Sequence, residues 1–245
     1  MSSVAGFLLL DNVAGEVPAT ARIVVLGVPV DGGAARSGCE AAPDTLRRVS
    51  STLEPLSLAR GADLGNISPE SDWRHALERF VRQSSDGPAI PVIIGGGAEV
   101  AEVALSAWPE VPVIVASDRL RGGLTGRDVL WLGLNGPQPA AAWDAAIGAG
   151  QRTLSARDID DGQQPEWPDR AVLWIDAGVF DLGHAAGAAD VNPGGATPEA
   201  IVRLVDQWGG TPAGVIITGA TPQRDPRGVT ELALATVVKR VIQHV

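Results

Sequence analysis

Three acidic residues that follow apolar segments of the chain are the first candidates for chemistry. Glu99, Asp118 and Asp176 each lie within a few residues of the end of a run rich in Val and Ile. Clustered carboxylates drive one another's pKa values apart, so such a group can supply both a general acid and a general base. The sequence therefore predicts that these three residues are catalytic.

Arginines lie close to the same points of the chain. Arg36, Arg119 and Arg121 are predicted to orient an anionic or polarised group of a substrate. The alternative is that these arginines only neutralise the carboxylates in an ion-pair network. Such networks also perturb pKa values, so for any single carboxylate this structural role is favoured over a catalytic one. The other residues predicted to bind substrate are Asp31, Trp174, Asp181 and Thr218.

Short apolar runs alternate with amphipathic patterns along the chain, and these elements must position the candidates. Continuously apolar runs are typical of parallel strands buried on both faces. The predicted strands are Arg22–Val28, Pro91–Gly95, Val111–Ala116, Val129–Leu134, Ala171–Asp176 and Gly214–Thr218. The predicted helices are Pro43–Leu53, Asp72–Gln83, Glu99–Ala107, Ala140–Ala149, Pro198–Trp208 and Thr230–Gln243.

This repetition continues without a change in composition, which predicts one α/β domain over residues 1–245 with a mainly parallel sheet. Thr197 is predicted to cap the helix that begins at Pro198, because Thr suits the capping position and Pro the first helical position. Ligand sites of parallel sheets lie beyond the carboxyl ends of the strands, where the candidate residues fall.

Composition excludes several classes of function. The 29 acidic and 19 basic residues give a formal charge of −10, which argues against a nucleic-acid partner. No apolar run has the roughly 18 residues that a membrane span needs. The N-terminus lacks the basic residues of a signal peptide. We expect a cytoplasmic protein with a small-molecule partner and neither a nucleic-acid nor a membrane partner.

Two further features have a functional and a structural interpretation. Cys39 is the single cysteine, and a nucleophilic thiolate there would need a base such as His184. A structural cysteine is favoured. The glycines Gly95–Gly97 could hold an anion on their amides. A tight turn is favoured, because the segment lacks the spacing of phosphate-binding loops.

Four segments of the chain carry short motifs rich in Gly, Pro and Asp. They are Gly27–Gly33 (GVPVDGG) with Arg36–Gly38 and Ala42–Arg47, Ile94–Glu99 (IGGGAE), Ile175–Asp181 with Asn192–Thr197, and Val215–Pro222. In order and spacing they resemble the arginase/agmatinase (ureohydrolase) family over nearly the whole chain. The resemblance implies a three-layer α/β/α sandwich of the arginase/deacetylase type and a homo-oligomer, commonly a trimer or hexamer.

The family holds two manganese ions with two His and four Asp, and the bridging hydroxide attacks a guanidinium carbon. At the matching positions, Gly97 and Ala98 replace an Asp and a His. Gly178 replaces a second Asp, while Asp176 keeps one ligand position. Thr218 stands where the family has the Glu that grips the guanidinium.

The remaining motif, D-A-H-x-D, falls on Ala116–Leu120. One register leaves Asp118 in the His position, and sliding by two residues makes Asp118 the first Asp but puts Leu120 in the His position. One or two of the six ligands therefore survive. None of the three histidines, His75, His184 and His244, stands at a metal-binding or proton-shuttling position.

The sequence thus predicts an arginase-fold protein that has lost the binuclear manganese site. Its predicted function is that of a metal-independent enzyme, without a cofactor, acting on a small molecule in bacterial metabolism. The alternative is a catalytically inactive homologue that serves as a regulatory or structural subunit. A third hypothesis is a hydrolase with one metal ion bound through Asp118 and Asp176.

Overall fold

The computed structural model describes residues 6–13, 20–32, 37–54, 61–68 and 70–244. Within these residues nine parallel strands form one sheet in the order β1-β3-β2-β4-β9-β8-β5-β6-β7. The strands are β1 Asp11–Asn12, β2 Ile23–Val28, β3 Gly61–Asn66, β4 Ile90–Gly95, β5 Val113–Ala116, β6 Val129–Leu134, β7 Arg152–Ser155, β8 Arg170–Asp176 and β9 Thr211–Thr218. The α-helices are α1 Ala42–Ser50, α2 Trp73–Ser85, α3 Glu99–Ser106, α4 Ala140–Gly148, α5 Ala156–Asp160, α6 Pro198–Gln207 and α7 Val229–Gln243.

The sheet is covered on both faces, which confirms the predicted three-layer α/β/α sandwich. Alternate residues of β2 show this: Ile23 and Val25 pack into the core under α1, α6 and α7, while Val24 and Leu26 pack under α2 and α3. A strand buried on both sides has no polar face, so its sequence is continuously apolar. No helix in the described part of the chain has the length and apolarity to cross a membrane.

All six predicted strands are present with ends shifted by up to a few residues, and the structure adds β1, β3 and β7. Strand β3 (GADLGN) has Gly, Asp and Asn, which are poor strand formers, so its sequence does not indicate a strand. Tertiary contacts form it instead. Asp63 of β3 is fully buried and accepts a bidentate ion pair from Arg47 of α1, with Nε–Oδ2 at 2.8 Å and Nη2–Oδ1 at 2.9 Å.

The predicted cap of α6 is confirmed, because the Thr197 hydroxyl accepts a hydrogen bond from the Ala200 amide at 3.1 Å. Replacing Thr197 by Ala leaves this amide without its partner and is expected to reduce the free energy of unfolding by about 1 kcal/mol. Urea denaturation measures the change. Thr236→Ala in the interior of α7 is the control and should be neutral or stabilising, since Ala is the better helix former. A Thr197→Ala protein as stable as the parent would contradict the capping role.

Candidate functional site

The candidate site lies at the carboxyl ends of three neighbouring strands. Strand β8 lies between β9 and β5, and all three run parallel. Asp176 is the last residue of β8 and is paired with Thr218, the last residue of β9, while Asp118 follows β5 by two residues. Parallel strands end at the same edge of a sheet, which brings Asp118 and Asp176 together as the sequence predicts.

The guanidinium of Arg121 lies among three carboxylates, Asp118, Asp176 and Asp190, which we call the carboxylate cluster. Its Nη2 atom is 3.0 Å from Asp190 Oδ2, 3.2 Å from Asp176 Oδ1 and 3.6 Å from Asp118 Oδ1. Burial opposes the charge on Arg121, but the three carboxylates outweigh it and raise the pKa of the guanidinium above its usual value. Arg121 therefore remains a cation at the centre of the cluster.

A second guanidinium closes the outer side of the cluster. Arg119 donates from Nη2 and Nε to Asp118 Oδ2 at 2.9 and 3.1 Å, and its Nη1 lies 3.3 Å from Asp190 Oδ1. The amide of Asn192 also donates to Asp118 Oδ2. Burial raises the pKa of Asp118 above its usual value, and the bonds from Arg119 only partly oppose this. Three carboxylates and two guanidinium groups thus leave a formal charge of −1.

Trp174 and Thr218 hold Asp176 in place from within the core. The Trp174 indole donates to the Thr218 hydroxyl at 2.8 Å, and this hydroxyl donates to Asp176 Oδ2 at 3.0 Å. The Gly178 amide donates to Asp176 Oδ1 at 3.0 Å. Trp174 and Thr218 are fully buried. The two side chains, which the sequence predicts to bind substrate, thus form a hydrogen-bonded chain that ends on Asp176.

Gly178 leaves the space that the Asp118 carboxylate fills. A Cβ atom on Gly178 would lie 2.8 Å from Asp118 Oδ1, closer than such atoms approach without a shift, and a tight 3.1 Å from Asp176 Oδ1. This is the position at which the ureohydrolase resemblance calls for a second Asp. A side chain there and the present position of Asp118 exclude each other.

Glu99 does not join the carboxylate cluster, contrary to the expectation that it approaches Asp118 and Asp176. It forms an ion pair with Arg74 of α2, and its carboxylate lies against Gly32. Among the described residues it makes no ion pair or hydrogen bond with any member of the cluster. Arg74 comes from a neighbouring helix, and the position of Glu99 just after a strand does not by itself predict this partner.

The other predicted site residues organise loops. Asp31 accepts hydrogen bonds from the amides of Gly38 and Cys39, the shortest at 2.8 Å. Asp181 accepts from Gly183 at 2.8 Å and Gly194 at 2.7 Å, and these bonds lower the pKa of its carboxyl. The predicted site residue Arg36 lies outside the described residues.

The contacts of Gly96, Gly97 and Cys39 favour the structural interpretations, a tight turn and an unreactive cysteine, over an anion site and a nucleophile. The amides of Gly96 and Gly97 donate to the carbonyls of Val28 and Val30 and are not available to an anion. A Cβ atom on Gly96 would lie 1.9 Å from the Val30 carbonyl oxygen, so only Gly fits. Cys39 is buried, which with the nearby Asp31 raises the pKa of its thiol to about 12. A reactive thiolate is therefore disfavoured.

Sequence reasoning missed Asp190 and Asn192, which complete the network. Both lie on the loop between β8 and α6 rather than at a strand end. Asp190 is 69 residues from its partner Arg121, and Asn192 is 74 residues from its partner Asp118. The one available signal is their position just before the Pro193–Gly195 turn, a segment that is part of the ureohydrolase resemblance.

The residues present do not fit a binuclear manganese centre. The donors that remain at the strand ends are carboxylates already bonded to guanidinium groups, and a guanidinium repels a metal cation. Two histidines pair on the surface, His75 with Asp72 and His244 with Asp206. Across the described ranges, no three His, Cys, Asp or Glu side chains are arranged to hold a metal ion.

Comparisons with known proteins agree on the fold. The Arginase family model matches residues 21–115. Agmatine ureohydrolase of Thermoplasma volcanium superposes with a TM-score of 0.77 and 21% identity, covering 92% of this chain and 90% of that chain. Proclavaminate amidino hydrolase from Streptomyces clavuligerus has a TM-score of 0.80 and 19% identity, covering 99% and 97%. A single-residue variant of Trypanosoma cruzi formiminoglutamase with two Mn²⁺ ions has a TM-score of 0.80 and 14% identity, covering 94% of each chain. No curated protein sequence matches the chain.

Proposed function

We infer that this member of the arginase (ureohydrolase) family is a non-hydrolysing homologue that acts as a regulatory or structural subunit. The observation that carries this proposal is the position of Arg121 Nη2, which lies 3.0 to 3.6 Å from all three carboxylates of the cluster. A guanidinium of the chain itself already neutralises the groups that a metal ion or a cationic substrate would need. Each carboxylate of the cluster contacts at least one guanidinium group, so in this proposal the network supports the fold.

The hydrogen bonds of the cluster argue against a general base. Asp176 accepts from the Gly178 amide and the Thr218 hydroxyl and faces the Arg121 cation, so each of its oxygens has a partner. A carboxylate oxygen that already accepts a hydrogen bond from the chain has less capacity to accept one from a substrate. Removing a proton from a substrate would first require breaking these contacts.

Manganese loading tests the proposal. We expect the full chain, dialysed against Mn²⁺ and then against metal-free buffer, to retain less than stoichiometric manganese, and to release no product from arginine, agmatine or formiminoglutamate. The reason is that guanidinium charge fills the cluster. Elemental analysis and product assays measure this, with a manganese-dependent ureohydrolase treated alike as the control. Two ions per chain, or hydrolysis of any of the three compounds, would overturn the proposal.

The second candidate function is a metal-independent enzyme acting on a small molecule, and one observation favours it. The Arg119 side chain is 31% exposed and contacts Asp118, whose pKa burial raises. A ligand that reached Arg119 would meet a carboxylate whose pKa is raised by burial, which makes it a better proton acceptor than an ordinary Asp. Asp118→Asn and Arg119→Met would abolish turnover of the true substrate in this case. In the favoured proposal they change stability alone.

The subunit role also has a direct test. Affinity purification from the source cells should recover a complete ureohydrolase homologue together with this chain. Recovery of this chain alone at native concentration would count against the role. We also propose that residues 1–245 form a single domain and that the protein is a cytoplasmic homo-oligomer that binds a small molecule.

A further inference from the structure

A cavity of about 140 Å³ lies beside the carboxylate cluster, between the loop that follows β5 and helix α4. Trp131 of β6 and Gln151, just before β7, form its buried floor. Gly122 and Thr125 lie at its exposed rim, which opens it to solvent. Arg121 is part of its lining, so one side chain borders both the cavity and the cluster.

The walls of the cavity are preformed. The Trp131 indole donates to Gln151 Oε1 at 2.9 Å, and the Gln151 amide donates to the Leu124 carbonyl at 2.8 Å. These bonds satisfy the polar atoms of the floor and fix its shape. On the opposite side α4 contributes alanines, among them Ala142 and Ala145, whose short side chains leave the space empty. A rigid apolar pocket loses little entropy when a ligand enters.

Arg121 gives this largely apolar pocket a charged group. Its Nη2 faces the three carboxylates, and its Nε lies 3.4 Å from the Ser117 hydroxyl. Its Nη1 makes no hydrogen bond to any residue in the described part of the chain. The excess negative charge of the cluster disfavours an anion at this position.

We propose that this cavity binds an uncharged molecule of single-ring size that carries one hydrogen-bond acceptor. The volume matches that of apolar cavities of about 150 Å³ that take up benzene. The apolar walls select a ring or a compact branched group, and Arg121 selects a hydroxyl or carbonyl oxygen. The site shares Arg121 with the carboxylate cluster, but its existence does not depend on whether the cluster is catalytic.

Three probe compounds distinguish the contributions of shape and charge. Phenol has a ring and an acceptor, benzene lacks the acceptor, and benzoate adds a negative charge. In nitrogen-15 spectra, we expect phenol to shift the Trp131 indole signal with a dissociation constant of about 1 mM. Benzene should bind several-fold more weakly and benzoate at least about tenfold more weakly. The Trp131→Phe spectrum assigns the signal.

Two leucine substitutions on the same helix complete the test. Ala145→Leu places a side chain in the cavity and should weaken phenol binding by at least about tenfold. Ala141→Leu is the control, because Ala141 lies on α4 outside the lining, and it should leave the binding unchanged. If Ala145→Leu fails to fold, Ala142→Leu fills the same cavity.

Three results would overturn the proposal. The first is no shift of the Trp131 indole signal at phenol concentrations about tenfold above the expected dissociation constant. The second is equal phenol binding by the Ala145→Leu and Ala141→Leu proteins. The third is benzoate binding as tight as phenol binding.

Discussion

The Arg121→Met protein is expected to be less stable than the parent by about 3–5 kcal/mol at pH 7. Methionine keeps much of the length of the side chain but removes the cation that faces Asp118, Asp176 and Asp190. These three carboxylates are buried, and Arg119 contacts only Asp118 and Asp190 of them. Buried charge left without its partner accounts for the loss.

Urea denaturation with matched variants measures this effect. Arg240→Met removes an arginine from a surface ion pair with Asp206 and should leave the free energy of unfolding nearly unchanged, because solvent screens exposed pairs. Adding Asp176→Asn to Arg121→Met should restore part of the lost stability, because it removes one unpaired charge. An Arg121→Met protein as stable as the Arg240→Met protein would refute the proposed role of Arg121.

The pH dependence of the Arg121→Met protein has a definite sign. Burial already raises the pKa of Asp118, and removing the Arg121 cation, which opposes this rise, makes folded Asp118 bind a proton more readily. Folding is then favoured as the pH falls, so the stability deficit relative to the parent should narrow from pH 7 towards pH 5. A deficit that is constant over this range would indicate lost packing rather than lost charge pairing.

Glu231→Gln is expected to stabilise the protein at pH 8 by up to about 3 kcal/mol and to have little effect near pH 4.5. Glu231 lies in the first turn of α7, is fully buried, and neither of its carboxylate oxygens has a hydrogen-bond partner elsewhere in the described part of the chain. Burial raises the pKa of this carboxyl from 4.5 to about 7, and the nearby Asp225 adds to the effect while Arg48 opposes it.

The sign follows from proton binding. Between pH 4.5 and about 7, folded Glu231 holds a proton that the unfolded chain releases, so stability falls as the pH rises through this range. Glutamine has the same shape and does not ionise. Comparing the free energies of unfolding of the two proteins from pH 4.5 to 8 isolates the effect.

Glu199→Gln is the matched control for this comparison. Glu199 also lies in the first turn of a helix, α6, but is exposed. Its substitution removes the favourable interaction of a negative charge with the helix N-terminus, which is worth less than about 1 kcal/mol. If the Glu231→Gln protein and the parent have the same free energy of unfolding at every pH from 4.5 to 8, the buried carboxyl does not cause the predicted loss of stability.

Much of the fold could be predicted because the strands buried on both faces are continuous apolar runs in the sequence. The run Val129–Leu134 is apolar throughout and is observed with the same bounds. The edge strand β7 could not be predicted in this way, because Arg152–Ser155 is largely polar. Its strand conformation depends on pairing with β6.

Parts of the site were predictable for a related reason. Asp118 and Asp176 follow strands that are neighbours in a parallel sheet, so their meeting depends only on strand order and direction. Glu99 has the same kind of position in the sequence, yet Arg74 binds it in the structure. Position at a strand end predicts the edge of the sheet, whereas the choice of partner depends on side chains from other elements.

The sequence by itself predicted the α/β fold, the motifs that resemble those of the arginase family, and small side chains at positions such as Gly97, Ala98 and Gly178, where that resemblance calls for Asp or His. These properties depend on residue type and order along the chain. Only the tertiary structure decided what fills the space: Arg121 pairs with Asp190, which lies 69 residues further along the chain. Ion pairs form between groups that folding brings close, and Coulomb attraction depends on distance in space rather than along the sequence.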